Sequence, residues 1–150
     1  MGSGFLHREP AACPADILTR AKERGTCRLL VVRAAGTPPM QAAFEAVQAG
    51  IAEPILVGEP EIIKAEAEKL GWTVTDDAII PALGEAEAAS ASADLLRRGL
   101  SGEGPEISAV MKGQLHTDVF MGALLDKSVG LRTGNRLVHV FAIFPPDGAA

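Results

Sequence analysis

Between Lys112 and Asp118 the chain sets a lysine, a histidine, a hydroxyl and a carboxylate in one turn, Lys112-Gly113-Gln114-Leu115-His116-Thr117-Asp118. Lysine supplies a compact positive charge with three donors, and histidine a donor that becomes cationic near neutral pH. Together these types suit an oxyanion. The turn follows an apolar run, Ile107 to Met111, that reads as a strand, and Thr117 or Asp118 reads as the cap of a following helix. Parallel α/β sheets collect ligands beyond the carboxyl ends of their strands, where a helix start offers unpaired backbone N–H groups to anions. The turn is a candidate phosphate site, with Lys112 and His116 over the same spot.

Other chemistries find little support. Cys13 and Cys27 have no CxxC spacing and no histidine cluster nearby, so neither a metal site nor a disulfide framework is indicated. No GxGxxG follows a strand, and the P-loop and GxSxG patterns are absent. Asp118 and Asp126 are two turns apart on one helix and make no general acid/base pair. His139, inside an apolar run, reads as a core histidine. The residues by themselves assign no catalytic group.

The elements that must position this turn follow from the apolar periodicity. Cys27 to Ala34 is a continuous β-branched run of strand length, which implies burial on both faces. Thr37 then caps a helix with Pro38 in its first turn and an apolar stripe of Met40, Ala43, Phe44, Val47 and Ile51, ended by Gly50. Pro54 to Val57 is a second strand, and Gly58-Glu59-Pro60 opens a helix with Ile62, Ile63 and Leu70, closed by Gly71. A weaker strand lies at Trp72 to Val74 or Ala78 to Ile80. An Ala-rich helix follows from about Glu85 to Arg98, then the Ile107 strand, a helix through Phe120, Leu124 and Leu125, and a last strand over Leu137 to Phe144. This alternation predicts right-handed crossovers and an α/β, three-layer domain with a largely parallel sheet.

Composition bounds the partners. The 150 residues fit one domain, and 47% apolar with 22% charged residues is ordinary for a globular protein. A net charge of -5, no Tyr and a single Trp argue against nucleic acid and against an anionic membrane surface. No apolar run approaches a membrane span and no signal peptide opens the chain, so a reducing cytoplasm is the expected setting. Charge is uneven: Lys112 to His139 carries +2, leaving -7 for the rest. Residues 1–12, with Met1-Gly2-Ser3-Gly4 at their start, read as a flexible terminus or an expression remnant.

The Lys112 to Asp118 turn, followed by Leu124-Leu125-Asp126-Lys127, Gly130-Leu131-Arg132-Thr133-Gly134 and His139-Val140-Phe141, resembles the phosphate acetyl/butyryltransferase family. Pro54-Ile55-Leu56-Val57-Gly58 extends the resemblance upstream, and it covers about Cys13 to Phe144. It is strongest to the phosphate butyryltransferase branch and to the phosphate acetyltransferase-like domain that follows an enoyl-CoA hydratase domain.

The resemblance implies an isocitrate/isopropylmalate dehydrogenase-like fold and transfer of an acyl group between coenzyme A and inorganic phosphate. Acyl-CoA and phosphate are then the partners, with no cofactor beyond the thioester substrate. Lys112, Gly113, His116, Thr117 and Arg132 are the phosphate or acyl-CoA-binding candidates, with no metal site. Residues 13–150 would form the N-terminal part of such an enzyme, its first domain only, with the second half absent. Little turnover by the chain alone is therefore expected, and so is a homodimer formed through an exposed apolar flank. Related sequences carry an arginine one turn into the helix, where this chain has Gly122. The alternative is a noncatalytic module of the same descent that binds acyl-CoA or phosphate. A nicotinamide-dependent dehydrogenase, sharing only the fold, is the weaker third reading.

Overall fold

The computed structural model describes residues 14–132, 134–138 and 140. The expectations for residues 1–12, Cys13, His139 and most of the last strand lie outside them. The described chain runs α1 (Ala15–Glu23), β1 (Cys27–Val32), α2 (Thr37–Gln48), β2 (Ala52–Gly58), α3 (Pro60–Lys69), β3 (Ile79–Pro81), α4 (Gly84–Leu100), β4 (Ala109–Lys112) and α5 (Thr117–Leu124). The four strands form one sheet in the order β3-β2-β1-β4, and every pair is parallel.

The continuous apolar character of β1 has the cause expected of it. Leu30, Val31 and Val32 are all fully buried, because successive side chains enter cores on opposite faces. Leu30 and Val32 join Ala88, Ala89, Leu95 and Leu96 of α4 and Leu124 of α5. Val31 joins Met40 and Ala43 of α2 and Ile63 and Ala67 of α3. Helices on both faces of a parallel sheet make a three-layer α/β domain.

Alanine lets α4 approach the sheet closely: Ala88 and Ala89 are buried, and the buried Ser92 hydroxyl donates to the Ala88 carbonyl at 2.7 Å, leaving no polar orphan. On the other face, the Phe44 and Trp72 rings stack with centroids 5.5 Å apart.

Strand order sets the position of the site. The chain steps from β1 to β2 to β3 in one direction, then crosses back to pair β4 with the free side of β1. The turns that leave β1 and β4 lead to helices on opposite faces of the sheet, α2 on one and α5 on the other, the arrangement beside which such folds bind ligands.

Several boundaries differ from the sequence reading. α1 was not expected, and none of its residues is buried. α2 begins one residue after its cap: Gly36, at φ 86, is the N-cap and Thr37 is already helical. β4 starts at Ala109 rather than Ile107. Leu137, Val138 and Val140 are described and lie outside the sheet, 66% to 80% exposed.

Candidate functional site

The ends of β1 and β4 are stitched together by backbone first. The Gly113 N–H donates to the Val32 carbonyl at 2.9 Å, and the Gln114 N–H donates to the Arg33 carbonyl at 2.9 Å. Arg33 adopts φ 54, unusual for a residue with a side chain, and its carbonyl also accepts from Ala35 at 2.8 Å. Gly113 is required by this close approach. A Cβ there would lie 2.6 Å from the Val32 carbonyl oxygen and nearer still to that of Arg33.

Side chains from four strand-to-helix turns then interlock. After β1, the Arg33 guanidinium donates through Nη1 to the Gln114 carbonyl at 2.9 Å and through Nη2 to Glu59 Oε1 at 3.2 Å. Nη1 also lies 3.5 Å from Glu85 Oε1. Glu59, after β2, accepts the Gly84 N–H at 3.0 Å and so ties in the start of α4. Glu85 reaches across to α5, accepting the His116 N–H at 2.9 Å and facing His116 Nδ1 at 2.8 Å. Lys112 Nζ donates to the Leu115 carbonyl at 2.6 Å, spending one of its three N–H groups.

These contacts shape the titration of each group. Glu59 is only 14% exposed, and burial by itself would raise its pKa. The backbone N–H groups of Glu59 and Gly84, with the Arg33 guanidinium, outweigh that and hold it below the usual carboxylate range. Glu85 is held low by the His116 N–H first, then by the His116 ring, and further by the charge of Arg33. His116 is pushed above its usual value by its hydrogen bond to Glu85 and then by that carboxylate's charge, with Asp118 adding and Lys112 opposing. The carboxylate thus favours the imidazolium form of the ring. The Arg33 guanidinium faces both Glu59 and Glu85, and the His116 ring faces Glu85.

Glu85, Lys112, Gly113, Gln114, Leu115 and His116 line a cleft of about 160 Å³. Pockets that enclose a whole small-molecule ligand run to roughly 300–1,000 Å³, so this one has room for a small anion rather than a nucleotide-sized molecule. Of the residues read from the sequence, Lys112, Gly113 and His116 line it. Thr117 does not; it is the first residue of α5, and His116 is the N-cap in place of Thr117 or Asp118, because His116 keeps an extended ψ of 144. No cap side chain bonds that helix start, which leaves its first-turn N–H groups open to a ligand.

Arg132 is not part of the cleft. It follows the 3-10 turn Lys127–Val129, beyond the far end of a helix about 12 Å long, where its charge acts on Asp126. Among the described residues no group of three or more His, Cys, Asp or Glu side chains could hold a metal ion.

Arg33, Glu59 and Glu85 were missed in the sequence. Arg33 and Glu59 sit just past the carboxyl ends of β1 and β2, and Glu85 opens the helix after β3. Charged residues at those positions were the available signal, since parallel sheets gather ligands along that edge.

No family model matches the chain. Curated relatives do. The chain is 33% identical over 132 residues to phosphate butyryltransferase of Clostridium acetobutylicum, covering 88% of the chain and 42% of that protein. It is 32% identical over 133 residues to phosphate butyryltransferase of Clostridium beijerinckii, covering 89% of the chain and 42% of that protein. With phosphate acetyltransferase of Rickettsia felis the figures are 31% over 134 residues, 87% and 37%. The chain thus spans about two fifths of the length of the curated relatives it matches. Over nearly nine tenths of its residues the chain is therefore similar to members of the phosphate acetyl/butyryltransferase family.

Proposed function

We propose that the cleft between the β4–α5 turn and Glu85 of α4 is the phosphate side of a phosphate acyltransferase site, serving the reaction of an acyl-CoA with inorganic phosphate to give an acyl phosphate and coenzyme A. One observation carries this reading: Lys112 and His116 meet at the lip of that one small cleft. The names of the relatives, phosphate butyryltransferase and phosphate acetyltransferase, supply the reaction class.

In that reaction a phosphate oxygen bonds to the thioester carbonyl carbon and the C–S bond breaks, releasing the thiolate. Lys112 keeps two unspent N–H groups, and an imidazolium at His116 adds a third donor. The open first turn of α5 adds the positive end of a helix dipole. These groups hold the phosphate and offset charge that builds on the carbonyl oxygen. Glu85 is engaged by His116 and Arg33, which lessens its repulsion of an entering anion.

His116 is 79% exposed and the cleft is small and open, so the described residues cannot exclude water from a reacting thioester. The chain by itself is therefore a phosphate-binding unit with little turnover. Equilibrium dialysis with radiolabelled phosphate tests this. One saturable site is expected, displaced by acetyl phosphate and weakened at least about tenfold by Lys112→Ala, the loss of a charge-assisted contact. Absence of saturable binding at millimolar phosphate would overturn the reading. Binding of phosphate without displacement by acetyl phosphate would favour the noncatalytic module.

A further inference from the structure

α4 opens with two glutamates, Glu85 and Glu87, and only one serves its own helix. Glu87 accepts the Leu83 N–H at 3.0 Å, while the Gly84 N–H is taken by Glu59. Glu85 is thus not spent on local capping. Its carboxylate crosses to a residue 31 positions away and meets His116 twice, at the backbone N–H and at Nδ1. Arg33 Nη1, 3.5 Å from Glu85 Oε1, braces it. A carboxylate can only accept, so the ring must donate through Nδ1. No hydrogen bond to Nε2 is formed among the described residues.

We propose that Glu85 is the positioning residue of His116: it holds the imidazole by Nδ1–H and leaves Nε2 as the ring atom offered to the oxyanion in the cleft. The inference deepens the phosphate reading above and rests on it for the identity of the anion. A carboxylate that fixes the tautomer and rotation of a histidine also stabilises its cation, so the ring can donate from Nε2 at neutral pH. The other charged groups that act on the ring are Lys112 of β4, which opposes the cation, and Asp118 of α5, which favours it. Removing Glu85 leaves one charge of each sign.

The test is long-range ¹⁵N–¹H NMR of the His116 ring between about pH 5 and pH 9, the range over which histidine titrates. It is run on the wild type, Glu85→Gln and Glu85→Ala, with thermal unfolding and phosphate affinity measured on the same samples. In the wild type the neutral ring is expected to carry its proton on Nδ1, with a midpoint above 6.5. Glu85→Gln keeps an oxygen that can accept from Nδ1, so the tautomer persists while the midpoint falls toward 6.5. Glu85→Ala should lose both. A glutamate that only stabilised the fold would change the unfolding temperature without moving the ring titration. An unchanged midpoint in both variants, or a wild-type neutral ring protonated on Nε2, would overturn the proposal. Failure of phosphate to bind a wild type whose ring behaves as expected would instead defeat the phosphate reading and leave the positioning role intact.

Discussion

Gly113 precedes α5 and Gly122 lies inside it, and substituting each by alanine should move stability in opposite directions. At Gly113 a new Cβ meets backbone, the carbonyl oxygens of Val32 and Arg33, and neither can swing aside as a flexible side chain would. Relief requires the loop to move away from β1. That shift strains or breaks the Gly113 N–H to Val32, Gln114 N–H to Arg33 and Arg33 Nη1 to Gln114 bonds, each 2.9 Å long. Overpacking of this kind costs about 1–3 kcal/mol, and each hydrogen bond contributes roughly 1 kcal/mol. With partial relaxation, Gly113→Ala should cost about 3 kcal/mol.

At Gly122, in the interior of α5, a Cβ would meet nothing within 4 Å. Alanine there should add roughly 0.5–1 kcal/mol from helix propensity. For a chain of this size, 1 kcal/mol corresponds to about 2–4 °C in Tm. Differential scanning calorimetry should therefore show Gly113→Ala melting about 6–12 °C below the wild type and Gly122→Ala about 1–4 °C above it. A Gly113→Ala protein as stable as the wild type would refute the close packing of the loop on the end of β1, and with it the geometry of the cleft.

Glu59→Gln should destabilise at pH 7 by about 1–3 kcal/mol, since it removes the nearer of the two carboxylates paired with the half-buried Arg33 guanidinium. Because the folded-state pKa of Glu59 lies below its ordinary value of 4.5, its contribution is present above that pH and fades as the pH falls through the folded value. Urea unfolding of both proteins across this range should show the gap closing in acid; a gap that widens in acid would contradict the pairing. Thiol release from acetyl-CoA and butyryl-CoA with phosphate present should stay close to the no-protein rate for this chain. Robust phosphate-dependent release would show that the groups of the one cleft suffice. Sedimentation velocity should reveal self-association, driven by Leu83, Leu100, Leu137, Val138 and Val140, which are 60% to 80% exposed. A concentration-independent monomer would defeat that expectation.

The elements that carry a buried apolar stripe were legible in the sequence, and those without one were not. β1, β2, α2 and α3 announce themselves because Leu30, Val31, Leu56, Met40 and Ile63 are fully buried and recur at strand or helix spacing. α1 buries none of its residues and was not expected, while β3, only three residues long, was expected as one of two weak alternatives, Ala78 to Ile80. The same division holds for the site. Lys112, Gly113 and His116 are local to one turn, and they line one cleft. Arg33, Glu59 and Glu85 reach it only through the strand order, which brings residues 26 to 81 positions apart into hydrogen-bond range. Counting charge along the sequence therefore found Lys112 and His116 and missed Arg33 and the two carboxylates that the strand order brings beside it. Arg132, near the turn in sequence, lies beyond the far end of α5 and does not line the cleft.

The central claim is that phosphate sits in the cleft against Lys112 and His116. A phosphate titration followed by ¹⁵N–¹H correlation spectra of the wild type and Lys112→Ala tests it most directly. The account predicts shifts concentrated at Gly113 to Asp118 and at Arg33, saturating in the wild type and weakened in the variant. Shifts centred elsewhere on the fold, or an affinity unchanged by Lys112→Ala, would contradict it.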